Sequence, residues 1–125
     1  MLLAIAACTQ TYYKDFAVEP QDRAYAAQAQ FADIKAYVLT RGLRILTESA
    51  GFLDVELEPG DTLRVRLTPA KVELTLVRSS SRGDFPAGQI KAFQEALEGR
   101  LRERTGQPVT IRLVDQRVRP MTNIQ

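Results

Sequence analysis

Apolar and polar residues alternate most clearly between positions 53 and 76. Leu53, Val55 and Leu57 are separated by Asp54 and Glu56, Leu63, Val65 and Leu67 by Arg64 and Arg66, and Val72, Leu74 and Leu76 by Glu73 and Thr75. Alternation of this kind marks strands with one buried face. Pro59-Gly60-Asp61 and Thr68-Pro69-Ala70 supply turns between the runs, so the segment reads as a three-stranded antiparallel meander. The pattern also predicts a register. Placing every aliphatic residue on one face pairs Val55 with Val65 and Val65 with Leu74. On the other face Glu56 then lies beside Arg64 and Asp54 beside Arg66, with Glu73 on the far side of Arg66. Opposite charges meet across both turns.

On either side of the meander the spacing becomes helical. From Gln21 to about Ala50, Phe31, Ile34, Val38 and Ile45 fall near one stripe, and the alanines at 24, 26, 27, 29 and 32 favour helix. Asp22 suits the first turn and Gly51 the C-terminal end. Gly42 can split this stretch into two helices, and a competing reading folds Tyr37–Thr40 and Leu43–Leu46 into a hairpin around Arg41-Gly42. A second helix is predicted after residue 84, with Asp84 as its N-cap, Pro86 in its first turn and Ile90, Phe93, Leu97 and Leu101 as its apolar stripe. Gly106 and Pro108 end it. Val109, Ile111 and Leu113 then alternate as a fourth strand. Residues 9–20 show no sustained period and read as a tether, and residues 116–125 as a loose tail.

The expected fold is therefore α+β: a two-layer sandwich in the order α-β-β-β-α-β, with a mainly antiparallel sheet covered on one face by two helices. The expected organisation is a signal-like segment at 1–7, a modified Cys8 and tether at 8–20, a single domain at 21–115 and a tail at 116–125. A chain of 125 residues has room for one such core without metals or disulfides.

Composition narrows the chemistry. The sequence has no His, so the commonest metal ligand and the commonest acid–base group near neutral pH are both missing. No nucleophile-elbow Ser and no phosphate-binding glycine motif is present. A formal charge of +2, with no aromatic residues interleaved among the arginines, gives little purchase on nucleic acid. Neither catalysis nor a cofactor is expected.

One Cys stands alone, at the end of Met1-Leu2-Leu3-Ala4-Ile5-Ala6-Ala7-Cys8. Ile5-Ala6-Ala7-Cys8 resembles the lipobox of bacterial lipoproteins. Only Leu2 to Ala7 form the apolar run, and no Lys or Arg precedes the Cys, so the segment reads as a truncated signal. The resemblance implies that Cys8 carries lipid and anchors the domain to a membrane. With Thr9 rather than Asp after the Cys, it implies the outer membrane, facing the periplasm.

The candidate binding surface is basic: Arg100 and Arg104, four residues apart on one helix side, with Arg112 beside them, while Arg102 projects elsewhere. The expected function is that of a non-enzymatic envelope lipoprotein whose domain binds a protein partner, with no small-molecule ligand. Two other classes stay open. One is a ligand- or glycan-binding domain using these arginines or the loop Ser79-Ser80-Ser81-Arg82-Gly83-Asp84, and the other a soluble cytoplasmic domain with an accidental lipobox match. Arg82-Gly83-Asp84 also spells an adhesion tripeptide, but a turn leading into a helix cap accounts for it.

Overall fold

A computed structural model of the chain describes residues 10–120. Residues 1–9, with the signal-like segment and Cys8, and residues 121–125 of the expected tail lie outside them. The order is β1 (Gln10–Pro20), α1 (Ala27–Thr40), β2 (Arg44–Ser49), β3 (Phe52–Glu58), β4 (Asp61–Leu67), β5 (Val72–Ser80), α2 (Ala87–Thr105) and β6 (Val109–Pro120). The fold is mixed α+β, with six strands in one antiparallel sheet of order β2-β3-β4-β5-β1-β6.

Three expectations are corrected here. Residues 10–20, expected as a tether, form β1, which lies inside the sheet between β5 and β6. Its inward row is Gln10, Tyr12, Lys14, Phe16 and Val18, in which polar residues outnumber aliphatic ones, so no apolar alternation betrays the strand. Residues 116–120, expected as tail, complete β6 against β1. The stretch 21–50 is neither one helix nor a hairpin. α1 occupies its middle, and residues 44–49 pair with β3 rather than with the chain before Gly42. The alternation of β2 is hidden because Leu46 bulges between the pairs Ile45–Val55 and Thr47–Asp54.

Local chemistry explains the boundaries. Gly42, at φ +68°, ends α1: its N–H donates to the Leu39 carbonyl and the Leu43 N–H to that of Val38, satisfying carbonyls the helix leaves free. Asp22 precedes the helix and instead accepts from the Ala24 N–H in a turn. Gly51 does not end a helix but sits in the β2–β3 turn, where its carbonyl accepts from Leu67 N–H. α2 begins behind Pro86, not Asp84, whose carboxylate accepts from Phe85 N–H and leaves the helix without a side-chain cap. Gly106 ends α2 as expected.

The meander is present, with the predicted faces. Leu53, Val55, Leu63, Val65, Val72, Leu74 and Leu76 are all buried, whereas Arg64 is half-buried and Arg66 exposed. Val65 pairs with Leu74 and Arg66 with Glu73, as the alternation required. Across the first turn the register differs by two residues: Val65 faces Leu53, and Val55 faces Leu63. The cause is the turn. Pro59-Gly60 alone joins Glu58 to Asp61, with Gly60 at φ +88°, and Leu57 is left over as a bulge. A shift of two preserves each residue's face but exchanges its partner. Asp54, not Glu56, therefore holds Arg64 (3.1 Å).

One apolar cluster joins these strand residues to Phe16, Val109 and Ile111 and to Ile34, Val38, Leu97 and Leu101 of the helices. α1 lies against β4 and β5, α2 lies against β6, and the helices touch each other. Ile90 and Phe93, expected in the α2 stripe, are only partly buried, with Phe93 packed on Phe16 at 5.3 Å between ring centres.

Candidate functional site

The three arginines predicted to share a surface do not. Arg100 and Arg104 lie on the side of α2 turned toward α1, where Arg100 donates to the Thr40 hydroxyl (3.2 Å) and Arg104 to the Asp33 carboxylate (2.8 Å). Arg112 belongs to the opposite face of the sheet, because the neighbouring Ile111 is buried and successive strand residues alternate. There it makes a two-pronged contact with Glu19 (2.6 and 2.9 Å), which lowers the Glu19 pKa and raises that of Arg112.

Arg104 also has an interior consequence. Its partner Asp33 accepts a second hydrogen bond from the Tyr25 hydroxyl (2.6 Å), and burial, then this bond, push the Tyr25 pKa well above its usual value. Arg104→Glu would set two carboxylates against each other at this junction. It is expected to destabilise the fold by about 1–2 kcal/mol in urea unfolding, while Arg102→Glu, altering an exposed residue, stays within about 0.5 kcal/mol.

The Ser-rich loop is not a preformed anion site. Ser79 and Ser80 belong to β5, the Ser80 hydroxyl accepts from Arg82 N–H, and the Asp84 carboxylate is occupied by Lys14 (2.6 Å). That pair opens onto a polar cluster that sequence reasoning missed. Lys14 is only 3% exposed, and its ammonium also donates to Gln116 (2.7 Å). Beside it Arg78 grips buried Asp61 through two bonds of 2.8 Å, donates to Gln89 (2.9 Å) and to the Asp84 carbonyl (3.2 Å), and lies over the Phe85 ring. The Asp61 bond raises the Arg78 pKa. Each carboxylate here sits on a cation, which suits a structural plug at the end of the core better than a general base.

The remaining candidate is the exposed face of the sheet. A cleft of about 400 Å³ crosses β4, β5, β1 and β6, lined by Arg64, Arg66, Lys71 and Arg117, by Asp15 and Glu73, by Tyr13 and Thr75, and by the apolar residues Phe16, Ala17, Val72, Leu74 and Val114. Arg117 packs over the Tyr13 ring and holds Asp15 (2.9 Å), which also accepts from the Thr75 hydroxyl (2.8 Å). Lys71 stands 3.8 Å from Glu73. Arg66 is exposed and has no carboxylate within 4.0 Å among the described residues. The alternation around Arg64 and Arg66 had placed them on this face. Tyr13 and Arg117 were not placed because the strands carrying them were not recognised. No known family model matches the chain, and no curated protein matches it as a relative.

Proposed function

We propose that this chain is a non-catalytic lipoprotein of the cell envelope, anchored through Cys8 to the outer membrane, whose domain binds a protein partner on the exposed face of its sheet. In this reading the domain is a two-layer sandwich, with both helices over one face and the other left for the partner. The observation that carries the reading is the open cleft in which Arg66 has no carboxylate beside it. The four cations and two carboxylates among the residues lining it give a local excess of positive charge, fitted to an extended segment that brings an acidic side chain to Arg66 and packs on Tyr13. A cleft that runs across four strands and mixes charged with apolar lining suits an extended polypeptide segment. In the cleft, Arg117 and Thr75 hold Asp15, and Lys71 stands beside Glu73, so the lining charges are arranged as contacts along a surface.

The experiment has two arms. Cells are labelled with a fatty-acid analogue, and Cys8→Ser is expected to abolish labelling of the chain; labelling that survives overturns the anchor. Partners are recovered from envelope membranes with the wild type and with Arg66→Glu/Lys71→Glu. Recovery should fall at least about tenfold and depend on salt in the wild type, with Tm nearly unchanged because both residues are exposed. Equal recovery overturns the assignment to this face.

A further inference from the structure

We propose that two copies of this chain join edge to edge through β6, extending the sheet across a two-fold axis at Gln116. The two outer strands differ. β2 has six residues and a bulge at Leu46, features that discourage pairing. β6 has twelve, and α2 closes only its beginning: Glu98 accepts from Ile111 N–H (2.8 Å) and Gln94 donates to the Ile111 carbonyl (2.8 Å).

Those bonds show which backbone groups of β6 face away from β1. Outward and inward groups alternate along an antiparallel strand. Ile111 opposite Val18 faces outward. Stepping by two along β1 through Phe16, Lys14, Tyr12 and Gln10 gives Leu113, Gln116, Val118 and Pro120 as the others, with Val114 the extra residue. The Gln116 N–H has found only the adjacent Asp115 carboxylate (2.9 Å). Pro120 has no N–H and ends the usable edge.

The sequence of this open edge is complementary to itself in one register. Antiparallel pairing about Gln116 sets Asp115 opposite the partner's Arg117 and Arg117 opposite the partner's Asp115. Gln116 exchanges two backbone hydrogen bonds with its own copy. Moving the axis to Val118 opposes Arg117 to the partner's Arg119, and moving it to Arg117 opposes Arg117 to itself, although Asp115 then faces the partner's Arg119. Of the three, only the Gln116 register pairs opposite charges with no like pair. The favoured register also brings Val114 and Val118 into the junction, two of the four large apolar residues that the described surface exposes (46% and 54%). Arg117 already meets Asp15 (2.9 Å) and, more loosely, its own Asp115 (3.7 Å). The partner's Asp115 joins this network rather than adding an unpaired charge to it, whereas a strand without that acid meets an arginine-rich edge. The junction shares Arg117 and Val114 with the rim of the cleft but not Arg66 or Lys71, so Arg66→Glu/Lys71→Glu and Val118→Pro separate partner binding from dimerisation.

The test uses the full chain carrying Cys8→Ser, followed by sedimentation velocity over a concentration series, and a reversible dimer is expected. Val118→Pro removes an outward N–H without touching the bonds to β1, and Asp115→Arg opposes like charges. Each change occurs twice at the axis and is expected to weaken dimerisation at least about tenfold, with an unchanged circular dichroism spectrum. Gln116→Cys should oxidise to a covalent dimer, since directly opposed residues lie within disulfide range, whereas Thr110→Cys should not. A chain that stays monomeric throughout the series overturns the proposal, as does a dimer that Val118→Pro and Asp115→Arg leave intact.

Discussion

Val65→Asp is expected to leave the chain without a cooperative unfolding transition at 25 °C, a loss of at least about 4 kcal/mol. Val65 is fully buried on β4, with Leu53 on one side and Leu74 on the other, in the cluster that Ile34 and Val38 of α1 complete. The cations on its own face, Lys14 and Arg78, are already committed to Asp84 and Asp61. Arg64 and Arg66 point the other way, and the nearest charged inward position on β4 is Asp61, already committed to Arg78. Protonating the new side chain would still bury an unsatisfied acid and lose the valine's packing. Domains of this size are typically stable by only about 5–15 kcal/mol, so this one change takes up much of the margin. Urea unfolding followed by circular dichroism provides the measurement, with Arg64→Gln as the control. That change removes a half-exposed ion pair with Asp54 and should cost less than about 1 kcal/mol. A normal transition for Val65→Asp would mean that β4 is not in the core.

The second large effect belongs to the polar plug. Asp61→Ala should destabilise by about 3–5 kcal/mol, because it strands the Arg78 guanidinium, 18% exposed, without its anion. Gln89 and the Asp84 carbonyl accept hydrogen bonds from it but cannot neutralise it. If the loss came merely from missing atoms, removing Arg78 as well would make matters worse. If it comes from an unpaired buried charge, Asp61→Leu/Arg78→Met should recover most of the stability, since apolar residues of similar volume can replace a buried pair at little cost. Chemical denaturation of the three proteins separates these cases. A double variant no more stable than Asp61→Ala would count against the electrostatic account.

The sequence by itself determined the meander, its buried face and the second helix. In these segments the apolar residues recur at the period of the element that buries them, and nothing from elsewhere in the chain is needed to read them. It also placed Arg64 and Arg66 on the exposed face. Register across the first turn was not determined, because pairings two residues apart place the same side chains on the same faces. The choice fell to the tight Pro59-Gly60 turn and to Asp61, which joins β4 to meet Arg78 on the neighbouring strand. β1 was illegible for a related reason. Lys14 occupies an inward position that local patterning reserves for an apolar side chain, and it is tolerated only because Asp84 and Gln116, distant in sequence, satisfy its charge. The arginines of α2 looked like a free basic surface until α1 supplied Asp33 and Thr40. Local periodicity reports how a segment meets the boundary between core and water. Which charges are paired, and which polar residues can be buried, depends on groups brought together only by the tertiary fold.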